Sequence, residues 1–146
     1  MRAYRVDDPL AALQEVPDAD RIPAAILDVD GTCCDSSRVA NRMGLLICPP
    51  IPAGVDWARR KHAEGLRIVV VTCRPAAIAD LTQVWLSANL PVPFVGPYCR
   101  RDNDRRPDAD VKAEIYERLS RRYVVRAAID DNESVQALWA RLGIPS

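Results

Sequence analysis

The sequence predicts an α/β fold, a Rossmann-like parallel sheet with helices on both faces. Short apolar runs suited to buried strands, at 24–29 (AAILDV), 67–72 (RIVVVT) and 123–129 (YVVRAAI), alternate with stretches of helical periodicity. Such alternation implies right-handed crossovers and a parallel sheet covered on both sides. Each run also ends in residues that are unusual beside a buried strand: Asp28-Val29-Asp30, Thr72-Cys73-Arg74 and Asp130-Asp131. Sheets of this kind place their sites at the carboxyl ends of the strands.

Along the chain, Asp7-Asp8-Pro9 reads as a helix start, with proline at the first helical position and Leu10, Leu13 and Val16 turned inward. Pro17 and Pro23 bracket a connector, so residues 1–23 form an N-terminal helix and connector ahead of one domain over 24–146. After the first strand a loop runs from Asp30 to Pro52, closed by Cys48-Pro49-Pro50-Ile51-Pro52. Residues 53–64 form a helix with Gly65 just past its end, where a left-handed residue belongs. After the second strand, Pro75 opens a helix carrying Ile78, Leu81, Val84, Trp85 and Leu86. Residues 91–95 form a short strand ended by Gly96-Pro97, and a polar loop with Arg100, Arg101, Arg105 and Arg106 leads into a helix over 108–121. Past the strand at 123–129, Asn132 caps a last helix with Val135, Leu138, Trp139 and Leu142 on one face and Gly143 beyond.

At 146 residues the chain suits a single domain able to bury roughly two thirds of its unfolded surface. With 49% hydrophobic and 27% charged residues, neither disorder nor a fibre is expected. Twenty Lys+Arg balance twenty Asp+Glu, which excludes a protein that holds nucleic acid merely by being basic. The five cysteines (Cys33, Cys34, Cys48, Cys73, Cys99) show no repeated CxxC spacing, and His62 is the only histidine. Neither a disulfide framework nor a zinc site is expected; reduced thiols in a cytoplasm fit best. Residues 1–8 lack the apolar core of a signal peptide, and no apolar run is long enough to span a membrane. His62 reads as a surface residue, and Trp57, Trp85 and Trp139 as packing residues. Arg74 beside Cys73 is one cause for a lowered thiol pKa, though no cysteine is expected to be catalytic.

Carboxylates at the end of a buried strand are paired or bind a cation. Asp28 and Asp30, followed by Gly31, converge with Asp130 and Asp131 at strand ends, and four acids without a cation would repel one another. A hard ion is implied, and Mg²⁺ suits a site of carboxylates, water and phosphate.

Asp28-Val29-Asp30-Gly31-Thr32 after an apolar strand, Thr72, Lys112 and Asp130-Asp131 resemble, in order, the four motifs of the haloacid dehalogenase superfamily of phosphotransferases. The series VVVTCR, CRRDNDRRPDADVKAEIYERL and AAIDDNESVQALWARLGI is similar to the 3′-phosphatase domains of bacteriophage polynucleotide kinase/phosphatases, over about residues 24–144. The resemblance implies that Asp28 is the nucleophile and that Asp30 is the general acid and base. It implies that Thr72 and Lys112 bind phosphoryl oxygens, and that Mg²⁺ is held by Asp28, the Asp30 carbonyl and Asp131, with Asp130 beside them. Arg74 is implied as a substrate clamp, Asp108 as the partner that orients Lys112, and Arg38 as a further substrate-binding arginine. The family domain also continues beyond the last helix, so an edge strand is expected to be missing at Ser146.

No GxxxxGK[ST] occurs, so no kinase module is expected. Neither Asp30 to Pro49-Pro50 nor 96–107 has room for a cap domain. An uncapped site suits a phosphate at the end of a large molecule, with the arginines at 100–106 beside its backbone. Asp102 and Asp104, interleaved with them, also allow a merely solvated loop. The resemblance thus implies a Mg²⁺-dependent enzyme acting on DNA or RNA 3′-phosphate ends, with a separate polynucleotide kinase and a ligase as partners. A homodimer and the choice between DNA and RNA are left open. The alternatives are a small-molecule phosphatase such as a 5′(3′)-deoxyribonucleotidase, and a non-catalytic binding module on the same fold.

Overall fold

The structure, a computed structural model, describes residues 9–146. Its four strands, β1 (Ile22–Leu27), β2 (Arg67–Pro75), β3 (Phe94–Arg100) and β4 (Tyr123–Ile129), form a parallel sheet in the order β3-β2-β1-β4. The crossovers are helical: α1 (Pro52–Ala63), α2 (Ala79–Asn89) and α3 (Asp108–Leu119), with α4 (Glu133–Arg141) following β4. The chain steps outward from β1 to β3, then returns through α3 to place β4 on the other side of β1. That return sets the carboxyl end of β1 between those of β2 and β4.

The period of two along buried strands splits the interior in two. Ala25, Leu27, Ile68 and Val70 face α1 and α2, where Trp57, Ala58, Trp85 and Leu86 pack on them. Ala24, Ile26, Val69 and Val71 face the opposite side, against Val111, Ile115 and Leu119 of α3 and Val135, Leu138 and Trp139 of α4. All three tryptophans are buried, as expected, and His62 is exposed.

Several boundaries differ from expectation. Asp7 and Asp8 lie outside the described residues, and Pro9–Ala12 makes one 3-10 turn instead of starting a helix that reaches Val16. The Val16 N–H donates to the Arg121 carbonyl at 3.2 Å, so this segment runs along the end of α3. β1 begins at Ile22 and takes in Pro23, whose missing N–H is tolerated at a strand start. Pro75 ends β2; a 3-10 turn, Ala76–Ile78, precedes α2. β3 runs through Gly96-Pro97 to Arg100, because it is an edge strand that pairs only with β2 and can carry a proline.

Residues 31–51 hold one 3-10 turn, Arg42–Leu46, and 101–107 hold only turns and bends, so no cap domain is present among the described residues. No helix of the described residues is long and apolar enough to cross a membrane.

Candidate active site

Three strand ends and the first turns of α3 meet in a cavity of about 570 Å³, whose lining includes Asp28, Asp30, Thr72, Lys112, Asp130 and Asp131. Leu27 pairs with Ile129 across β1 and β4, so the next residues, Asp28 and Asp130, stand side by side. A larger hollow of about 1000 Å³ lies along β3 between α2 and α3, away from these acids.

Both oxygens of the buried Asp28 carboxylate are held: Thr32 Oγ1 donates to Oδ2 at 2.7 Å and Lys112 Nζ to Oδ1 at 2.7 Å. Lys112 also donates to Asp130 Oδ2. Burial alone would lower the Lys112 ammonium pKa, but the carboxylates of Asp28 and Asp130 hold it above its ordinary value. Asp130 takes a second bond, from the Asn132 N–H at 3.0 Å. Its carboxyl is nonetheless raised, by burial first and by the nearby Asp28 charge, against the pull of Lys112. Asp131 is exposed, yet burial of its carboxyl and a hydrogen bond with Asp28 push it up to about 6.

Asp28, Asp130 and Asp131 each offer an oxygen within 4.8 Å of the others. Two carboxyls in hydrogen-bond contact must share either a proton or a cation, and the donors are hard oxygens on a partly open site. That set fits Mg²⁺. Gly31 makes room for the Asp131 carboxylate: at φ +78° it has no side chain, and a Cβ there would stand 2.0 Å from Asp131 Oδ2. The Asp30 carboxylate is engaged elsewhere.

Arg74 Nε donates to Asp30 Oδ2 at 2.8 Å and Nη2 to Oδ1 at 2.6 Å, a bidentate pair reinforced by the Ser36 hydroxyl at 2.7 Å. Burial would raise the Asp30 carboxyl, but Arg74 and Ser36 together hold it below the usual carboxylate range. Nη1 of the buried Arg74 donates to Thr82 Oγ1 at 3.1 Å, and Nη2 also reaches Cys34 Sγ at 3.6 Å. Arg74 therefore holds Asp30, where the resemblance implied a clamp on substrate. The Thr72 hydroxyl accepts the Arg74 backbone N–H at 3.1 Å, which leaves its own hydrogen to donate.

Asp108 does not orient Lys112. It accepts from Arg100 Nη2 at 2.6 Å and from Asn132 Nδ2 at 3.3 Å, while Lys112 is held by Asp28 and Asp130. The loop arginines are largely spoken for: Arg100 also binds the Asp104 and Arg106 carbonyls, Arg101 pairs with Glu114, and Arg106 with Asp104 and Glu114. Arg105 and Arg38 are exposed, and neither lines the cavity. Cys73 is not acidified; burial pushes its thiol up to about 12 despite Lys112 nearby. Burial likewise raises Cys33 to about 12 and Cys99 to about 11, so none is poised as a nucleophile.

Thr32, Ser36 and Thr82 escaped the sequence reading as partners of the charged groups. Only Thr32 carried a signal, through its place directly after Asp28-Val29-Asp30-Gly31.

A family model described as the polynucleotide kinase PNKP phosphatase domain matches residues 22–146. Among solved structures, the chain resembles one titled a Pnkp1/Rnl/Hen1 complex, at 18% identity and TM-score 0.75, over 99% of this chain and 49% of that one. A second, titled the Pnkp1/Rnl/Hen1 RNA repair complex, matches at 22% identity and TM-score 0.76, over 92% and 44% of the two chains. A class C acid phosphatase from Bacillus anthracis with tungstate bound matches at 17% identity and TM-score 0.60, over 89% and 58%. The chain thus spans about half the length of the first two, and these likenesses establish the fold.

Proposed function

Because the chain belongs to the polynucleotide kinase PNKP phosphatase domain family of haloacid dehalogenase-type phosphomonoesterases, we propose that it removes the 3′-phosphate from polynucleotide ends. The observation that carries this reading is the fixed Asp28 carboxylate, gripped at both oxygens beside Thr72, Lys112 and the two further acids of the cavity. An Asp28 oxygen attacks phosphorus, the bond to the 3′-oxygen breaks, and an aspartyl-phosphate forms. The leaving oxygen takes a proton from Asp30. Water then gives a proton back to Asp30 and attacks the same phosphorus, releasing phosphate and restoring Asp28.

Arg74 bears on this cycle unequally. It favours the ionised form of Asp30, which suits the base role in the second half and works against the acid role in the first. Thr72 and Lys112 donate to the phosphoryl oxygens as charge gathers there. Asp28, Asp131 and the Asp30 carbonyl would hold Mg²⁺, with Asp130 beside them holding Lys112 in place; the ion supplies neutralisation of phosphoryl charge.

The open site, without a cap, supports a polymer end as substrate. The RNA repair complex among the similar structures supports RNA ends; a separate kinase and a ligase as partners, in the cytoplasm, belong to the same proposal. Phosphate release from a 3′-phosphorylated oligonucleotide, compared with release from nucleoside 3′- and 5′-monophosphates, tests this reading. The oligonucleotide is expected to turn over faster. Faster release from the free mononucleotides would instead make the chain a small-molecule phosphatase.

A further inference from the structure

The cysteines at 34 and 48 take no step in the chemistry above, although Cys34 Sγ accepts from Arg74 Nη2 at 3.6 Å, and their side chains meet. Cys34 Sγ and Cys48 Sγ are 2.7 Å apart, both buried, and separated by 14 positions. A disulfide bond is about 2.05 Å long, so a small movement would join them. Their backbones are tied to different parts of the fold. The Cys34 N–H donates to the Val29 carbonyl at 3.0 Å and its carbonyl accepts from Gly31 at 2.9 Å, which anchors it to the turn after β1. The Cys48 carbonyl accepts from Trp85 Nε1 at 2.7 Å, which anchors it to α2. Between them runs the loop that carries Ser36 and Arg38. Cys33 points elsewhere, its thiol donating to the Asp28 carbonyl at 3.4 Å.

We propose that Cys34 and Cys48 are a redox-modification site, a dithiol that a hydroperoxide converts to a disulfide stapling the 35–47 loop to the sheet and α2. Cys48, at 6% exposure the more accessible of the two, is oxidised first. Its S–H and one peroxide oxygen become a sulfenic acid, and the other oxygen leaves as water from hydrogen peroxide or as the alcohol from an organic hydroperoxide. Burial and the neighbouring Cys48 push the Cys34 thiol up, so it is no free nucleophile. Its 2.7 Å contact with the Cys48 sulfur in the dithiol is what lets it displace the hydroxyl, forming the S–S bond while its proton leaves with that hydroxyl as water. Two thiols lose two electrons in all, and one hydroperoxide gains them. A thiol reductant reverses the bond. This site stands apart from the identity of the phosphate ester, so it holds or fails independently of the proposed activity.

The test treats the full chain with hydrogen peroxide, blocks remaining thiols and maps peptides without reduction. A Cys34–Cys48 link is expected in the wild type and in Cys33→Ala, and is expected to be absent in Cys48→Ala. The linked protein should melt roughly 5–12 °C higher than the same sample after dithiothreitol, as for closure of a loop of this size. Thiols left free or over-oxidised, a link through Cys33, or a link with no rise in melting temperature would each overturn the proposal. Should Cys48→Ala fail to fold, the wild-type and Cys33→Ala maps decide it.

Discussion

Replacing Gly31 by alanine separates the metal site from the fold. The new methyl would lie 2.0 Å from Asp131 Oδ2 and 2.7 Å from its Cγ, against ordinary contact at 3.4 Å or more. The carboxylate must retreat by roughly 1.4 Å, and it can, being the end of a side chain on the exposed rim. The backbone at φ +78° adds about 1–2 kcal/mol of left-handed strain, a fall in melting temperature of roughly 2–8 °C for a domain of this size. Mg²⁺ demands bonds near about 2.1 Å in a nearly fixed octahedron, so a carboxylate moved that far ceases to be a ligand. The Mg²⁺ concentration for half-maximal phosphate release from a 3′-phosphorylated oligonucleotide should rise on the order of 10- to 100-fold, with the protein still folded at 25 °C. The assay is a metal titration of initial rates beside a thermal melt. A variant that melts lower yet titrates with Mg²⁺ like the parent would show that Asp131 is not a ligand, and the reading of the cluster would fail.

Three further outcomes follow from the same geometry. Asp28→Asn should abolish turnover with little change in melting temperature; a retained rate in that variant would end the covalent mechanism. Arg74→Met removes the bidentate partner of Asp30 and should raise the pKa of that carboxyl, moving the acid limb of the pH–rate profile upward with a kcat loss of about 10- to 100-fold. An unmoved acid limb would mean that Arg74 does not govern Asp30. Asp131 has its folded pKa raised to about 6, so the folded chain holds this proton more tightly than the unfolded one, and the contribution is lost as pH rises through that value. Mg²⁺ must displace the same proton, so the melting-temperature rise on adding it should be larger at pH 7 than at pH 5. Equal shifts at both values would contradict the assignment.

The parts of the fold visible in the sequence were those decided locally. β4 is a run of β-formers between an arginine pair and two acids, and Asn132 is a polar cap before an amphipathic helix; both stand where their residues indicate. β3 was misjudged because Gly96-Pro97 is local punctuation, while tolerance of a proline depends on lying at the sheet edge, which is a property of the assembled order. The site divides the same way. Asp28, Asp30, Thr72 and the Asp130-Asp131 pair are brought to one cavity by strand ends that alternation alone implies, whereas Lys112, on α3, was legible only through the family resemblance. The partners of Arg74 and Asp108 were not legible, since each is chosen by side-chain direction among groups distant in sequence.

The sheet keeps its two interiors apart, and Asp28 is where both take hold of one carboxylate, each by a different oxygen. Thr32 holds one oxygen from a loop pressed against α1, where a Cβ on Gly54 would come within 2.0 Å of the Thr32 carbonyl. Lys112 holds the other oxygen from α3, on the opposite side. Core substitutions on opposite sides of the sheet, at Trp57 of α1 and at Ile115 of α3 for instance, should then be additive in stability. In catalysis they should be epistatic, because each loosens one of the two grips on a single nucleophile.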